Sequence, residues 1–260
     1  HSGIHPDCIN QLVDFLNHGI HPHVPRIGSL GASGDLAPLS HLALAMIGEG
    51  KVLKEDAFVD TKDVLLETGL VPVTLSAKDG LSLINGTSQM TAFATLAHQQ
   101  LQQLLILADL VLSASIDARQ CSLTPMRDDI HAARPHPGQR LVAQRLREIL
   151  QNSPILNDHA NCERVQDPYS FRCSPQVHGA VYESFQRLGE MLHVEMNSAT
   201  DNPLIFPDPS QPGPHEVVSQ GNFHGEIVAL TCDAMSLALF ELGSISERRI
   251  DQMLDPARSD

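Results

Sequence analysis

The chain has 260 residues, of which 42% are hydrophobic, 4% aromatic and none Trp. That length suits one large domain or two ordinary ones, and a composition so poor in aromatics fits aliphatic helices better than a β-sandwich. A formal net charge of −14 at pH 7 repels phosphate backbones and excludes nucleic acid as a partner.

The first predicted helix, 6–18, carries Ile9, Leu12, Val13 and Leu16 at helical spacing, and Gly19 closes it. A Pro- and His-rich connector leads to GSLGASGDLAPLSH, residues 28–41. Asp35 is placed to cap a helix running to about Ile47, with Pro38 tolerated in its first turn. Residues 51–60 read as a hairpin, KVL and AFV around a polar turn. Short helices follow near 61–68 and 77–84, then a long one over about 87–115. Within it LQQLLILADLVLSA is apolar nearly all round, so burial on most sides is expected. RPHPGQ (134–139) reads as a turn before the amphipathic helix RLVAQRLREIL. Residues 152–175 look irregular. Two more long helices, about 176–198 and 224–254, enclose a Pro-rich loop. The predicted fold class is all-α: a bundle of long helices with irregular active-site loops and one small β-hairpin, in a single helical domain over 1–260.

No apolar run is read as reaching the ~20 residues of a membrane span, so no membrane partner is expected. Cys8, Cys121, Cys162, Cys173 and Cys232 form no CxxC pair and no regular spacing, which reads as reduced thiols in a cytoplasmic protein.

Gly28, Gly31 and Gly34 fall at every third position directly before an apolar helix. Glycine is costly in a folded chain unless its freedom is used. A phosphate cradle at a helix N-terminus is one reading, but no Lys follows and no strand precedes. Gly31-Ala32-Ser33-Gly34 is not the G-x-S-x-G of a hydrolase. His21, His23, His131 and His136 show no HExxH spacing, so no metal is expected. The plainest reading is that the glycines let two helices approach. Other loops point instead to a shared cleft. LINGTS (83–88), QDPYSFRCSPQVHG (166–179), NSATDNPLIF (197–206) and SQGNFHGE (219–226) each put polar groups near the mouth of a helix. Asn85, Tyr169, Arg172, Asn202 and Phe223 stand out in them.

This ordered set resembles the motifs of the aromatic amino acid ammonia-lyases, most closely the branch that acts on histidine, and the resemblance covers essentially all 260 residues. It implies that Ala32-Ser33-Gly34 cyclises by itself into the electrophile 4-methylideneimidazole-5-one (MIO). The Gly34 nitrogen would attack the Ala32 carbonyl carbon, and Ser33 would lose its hydroxyl as water. The residue types suit this: Gly34 has no Cβ to obstruct a ring, Ala32 is small, and Ser33 alone can eliminate to a methylidene. Asp35 would assist proton transfers or simply cap its helix. By the same resemblance Arg172 would hold the substrate carboxylate, Asn85 and Tyr169 would hydrogen-bond cofactor and substrate, and Phe223 would pack beside the ring. The alternatives for these residues are a surface ion pair, a helix cap, a half-buried Tyr and plain core.

The implied partner is a small amino acid, with no metal. Histidine, giving urocanate in histidine degradation, is favoured by NFHGE and HVEMNSATDNPLIF. NGTSQMT and RPHPGQ also resemble relatives that use tyrosine or phenylalanine, as lyases or aminomutases. The chain opens at His1-Ser2-Gly3 and stops at Asp260. It is therefore expected to be the central part of a lyase, without the N-terminal lid region, its catalytic base and the C-terminal helices. A homotetramer is implied for the complete protein, and little activity for this piece alone. A non-catalytic helical scaffold is the alternative of another class.

Overall fold

The computed structural model describes residues 1–32, 34–159, 165–207, 210 and 216–256. Helices α1 (Pro6–Asn17), α2 (Leu36–Met46), α3 (Thr61–Thr68), α4 (Asp79–Ile84) and α5 (Ser88–Ala118) fill the first half. α6 (Asp128–Ala132), α7 (Pro137–Leu150), α8 (Pro154–Asp158), α9 (Tyr169–Arg172), α10 (Ser174–Met196) and α11 (Glu226–Leu254) follow. The expected hairpin is present as β2 (Lys51–Lys54) and β3 (Ala57–Asp60), paired with Val52 opposite Val59. Two further features were not expected. A short strand β1 (His21–Pro22) extends the hairpin to order β1-β2-β3, and β4 (Leu204–Phe206) pairs with β5 (Glu216–Val218) inside the Pro-rich loop. The stretch read as irregular holds α8 and α9, each too short to show a period.

The chain divides into two compact units, 1–94 with 192–229, and 95–191 with 230–260. In the first, Cys8 and Phe15 of α1 pack with Met46, Val52, Leu65 and Leu83 into one apolar core. α3 ends where Gly69 turns left-handed at φ 73°. The fully buried Asp79 carboxylate receives the His5 and Ser76 backbone N–H groups, each at 2.7 Å. Burial alone would raise its pKa, but these donors outweigh it and hold the carboxyl below the usual range.

In the second unit Leu112, Ile116, Met126, Val142, Leu146 and Phe171 form the core. Here RPHPGQ finds its reason. A Cβ on Gly138 would lie 2.2 Å from the Gly179 carbonyl oxygen, and one on Gly179 would lie 2.4 Å from the Gln139 nitrogen. Two backbones touch with no room for a side chain. Gln139 then donates to His131 Nδ1 at 2.9 Å, and His131 Nε2 donates to the Pro125 carbonyl at 3.0 Å. Both ring nitrogens are engaged, and burial lowers the pKa of this histidine. Gly179→Ala should cost about 1–3 kcal/mol or more through overpacking, which exceeds the ~1 kcal/mol helix-propensity gain. Denaturant unfolding checks this against Gly221→Ala, whose added Cβ would meet nothing within 4 Å. Equal stability of the two variants would contradict the crossing.

Two sequence expectations are corrected. The long helix is not buried on most sides within the chain: Leu104, Leu107, Leu110 and Val111 of α5 are exposed. The same holds for Leu230, Leu237 and Phe240 of α11, the last at 70%. Moreover, Asp79–Ala118 and Glu226–Leu254 each contain a segment long and apolar enough to cross a membrane. Scattered Gln, Ser and Asp interrupt the apolar run without lowering the average much.

Candidate active site

Gly31 and Gly34 take left-handed φ values of 66° and 80°, the region that favours glycine. Both positions therefore use the freedom that only glycine has at no cost. Ser33, the predicted source of the methylidene, lies outside the described residues. So does Cys162 among the cysteines, while Cys8, Cys121, Cys173 and Cys232 form no disulfide among the described residues.

Asp35 stands at the N-cap position of α2 but makes no side-chain cap bond to it. Instead one carboxylate oxygen accepts the Met90 N–H at 2.9 Å, in the first turn of α5, and the other accepts the Ser29 hydroxyl at 3.1 Å. Its own N–H donates to the Gly86 carbonyl at 3.0 Å. A residue that looked like the cap of its own helix caps a different one, and thereby pins the glycine turn to the head of α5.

Three of the four polar loops come to this turn. Gly86 of NGTS has φ 146°, and a Cβ there would lie 2.7 Å from the Thr200 carbonyl of the ATDNPLIF loop. A Cβ on Gly34 would lie 3.5 Å from the Gly86 nitrogen and 3.9 Å from the Phe223 carbonyl. Gly225, in GNFHGE, donates its N–H to the Ala32 carbonyl at 2.5 Å. Ala32, Gly34, Asp35, Asn85 and Phe223 thus share one neighbourhood. Asn85 ends α4, and its Oδ1 is buried with no hydrogen-bond partner among the described residues. The Lys78–Asp201 pair at 2.5 Å, almost completely buried, anchors the 197–206 loop to the head of α4. Asn202 Oδ1 accepts the Gln220 N–H at 2.8 Å, which ties that loop to the GNFHGE segment.

The fourth loop belongs to the other unit. On α9 the Arg172 guanidinium stacks 4.5 Å from the Tyr169 ring centroid, and Arg172 Nε is buried with no partner among the described residues. Tyr169 is largely exposed. The two border different cavities. Arg172 lines one of about 410 Å³ with Asp167, Gln166 and Ser122, and Tyr169 lines one of about 430 Å³ with Glu241 and Arg248.

Sequence reasoning missed what holds α9 in place. The Ser170 carbonyl accepts the Ser174 hydroxyl at 3.0 Å and Arg249 Nη1 at 3.3 Å. Arg249, His178 and Asp109 are each only 3% exposed. Arg249 also meets His178 Nε2 at 3.3 Å, and His178 Nδ1 meets Asp109 at 2.9 Å. Since Arg249 only donates, Nε2 accepts and the proton sits on Nδ1. Burial lowers the Arg249 pKa to about 10, with Asp109 opposing the shift. No local pattern joins residues so far apart in sequence. Among the described residues, no three His, Cys, Asp or Glu side chains gather where they could hold a metal ion.

The sequence matches the family of aromatic amino acid lyases over residues 1–260. It is 46% identical over 259 residues to a histidine ammonia-lyase of Myxococcus xanthus, covering 100% of this chain and 50% of that one. The crystal structure of histidine ammonia-lyase from Trypanosoma cruzi superimposes with TM-score 0.87 at 42% identity, covering 100% of this chain and 47% of the other. A tyrosine aminomutase from Streptomyces globisporus gives 0.89 at 37% identity, with 100% and 51% covered. The chain spans about half the length of the curated relatives it matches.

Proposed function

Because the chain belongs to the aromatic amino acid lyase family, we propose that the protein eliminates ammonia from L-histidine to give urocanate, as a carbon–nitrogen lyase. The observation that carries this reading is the meeting of the NGTS, ATDNPLIF and GNFHGE loops at the Ala32–Gly34 turn.

The residues fit MIO. Left-handed glycines bracket a small Ala32, no Cβ crowds the Gly34 side, and Asn85 Oδ1 is buried with no donor among the described residues. Formed from Ala32-Ser33-Gly34, that group supplies the electrophile that no ordinary side chain offers to the substrate amine. The chain's own residues do the rest. Arg172 presents a planar fork that suits a carboxylate, and its unpartnered Nε has donor capacity to spare. The Tyr169 hydroxyl and Asn85 Oδ1 orient substrate and cofactor, and Phe223 shields the turn. Asp35 holds the turn against α5.

The exposed apolar faces of α5 and α11 support a homotetramer. Apart from those faces, the same two helices carry Asp109, buried in an ion pair with Arg145 at 3.1 Å, the buried Arg249, and the exposed Glu247–Arg248 pair, charges that suit protein contacts rather than hydrocarbon. Cysteines with no paired or regular spacing support a cytoplasmic location. The full-length protein is expected to release ammonia from histidine with higher kcat/KM than from tyrosine or phenylalanine, read by urocanate absorbance. Preference for tyrosine, or a β-amino acid product, would establish the aminomutase-like alternative. No turnover and no loss of two waters in the intact mass would leave only a helical scaffold.

A further inference from the structure

The N–H of Gly225 has no duty inside its helix. Gly225 precedes Glu226, the first residue of α11, and its carbonyl already accepts the Ala229 N–H at 3.0 Å, so it is the N-cap. An N-cap N–H has no intrahelical acceptor. The following Glu226 N–H is taken by His224 Nδ1 at 3.3 Å. That of Gly225 instead points at one atom, the Ala32 carbonyl oxygen, at 2.5 Å. Glycine leaves the approach open: a Cβ here would sit 2.2 Å from Met90 Sδ, at the end of a flexible side chain, and 3.3 Å from that same oxygen.

We propose that the Gly225 amide is the electrophilic activator of cofactor formation. This inference rests on the functional reading above and adds a group to it. When the Gly34 nitrogen bonds to the Ala32 carbonyl carbon, the C=O π pair moves onto oxygen. A donor already aimed at that oxygen stabilises the developing charge without reorganising. The positive end of the 29-residue α11 adds to the effect. The oxygen then takes up the Gly34 amide proton and leaves as water with the Ser33 amide proton, closing a C=N bond. Ser33 separately loses its Cα proton and its hydroxyl as the second water. Two waters leave, no electrons are transferred, and no outside reagent is needed. The donor's role ends with maturation, because the oxygen it holds departs.

The test compares four forms of the full-length protein: wild type, Met90→Ala, Met90→Ala with Gly225→Ala, and Met90→Ala with Gly225→Pro. Met90→Ala makes room for the added Cβ, whereas the proline Cδ takes the direction of the N–H and also crowds the Ala32 oxygen. The alanine form keeps the N–H and the proline form lacks it. Intact mass is followed after a pulse of synthesis. The first three should lose two waters. The proline form should lose them on the order of 10²–10³-fold more slowly, the usual effect of deleting one oxyanion donor, while melting cooperatively. Equal maturation rates in the alanine and proline forms would overturn the proposal. Because the proline ring both removes the N–H and crowds the Ala32 oxygen, a fifth form replaces the His224–Gly225 amide by an ester through ligation. That change deletes the hydrogen and little else. Slow maturation of the ester supports the proposal, and a wild-type rate overturns it. A wild type that never loses two waters would refute the functional reading instead.

Discussion

Ser33→Ala in the full-length protein is expected to abolish ammonia release from histidine while leaving the melting curve in place. Elimination from an α-amino acid must remove a weakly acidic β-proton and expel a poor leaving group. Alanine cannot eliminate to a methylidene, so the variant keeps a linear peptide and offers the amine nothing to bind. Loss of a group that catalyses covalently costs on the order of 10⁴–10⁶-fold in kcat. The fold should tolerate the change. The turn is held through Gly34, Asp35 and the Ala32 carbonyl, none of which the substitution touches. The intact mass should retain the two waters. Normal turnover in Ser33→Ala would end the lyase reading.

Arg172→Ala is the second large effect. A buried charge partner lost from a bound carboxylate costs about 2–5 kcal/mol, or roughly 30- to 4000-fold in kcat/KM. Arg172→Lys should recover only part of this, since one ammonium cannot reproduce the fork or its stacking on Tyr169. Histamine, which lacks the carboxylate, separates the roles: its weak inhibition should be the same in wild type and Arg172→Ala. Unchanged kinetics on histidine would remove Arg172 from the substrate site.

Much of the fold was legible because long periodic segments speak for themselves. The helix expected near 61–68 spans Thr61–Thr68, and the hairpin at 51–60 stands where its polar turn placed it. What escaped has physical reasons. β1, β4 and β5 are two or three residues long and owe their pairing to partners, not to pattern. The apolar surround of α5 was real, but exposure depends on what else is present, which a single chain does not encode locally. Among the expected side chains, Asn85 stands beside the glycine turn, whereas Arg172 belongs to the other unit. Asp35 was found but attached to the wrong helix, because capping by a neighbour in space mimics capping by a neighbour in sequence. The Gly225 amide was invisible. A backbone N–H has no residue type, and only coordinates show where it points.

The hold on Asp35 has a consequence for when chemistry becomes possible. Its carboxylate joins Ser29 to Met90, and Ala32 waits for a donor that is translated far downstream. A ribosome that has made the tripeptide has not yet made the groups that shape it. The nascent chain therefore carries an inert Ala-Ser-Gly through synthesis. On the proposed reading, the reactive alkene would arise only after the head of α5 and the GNFHGE loop have assembled. Copies that misfold before that point would keep the harmless peptide, and an electrophile, once formed, would report a folded unit around it.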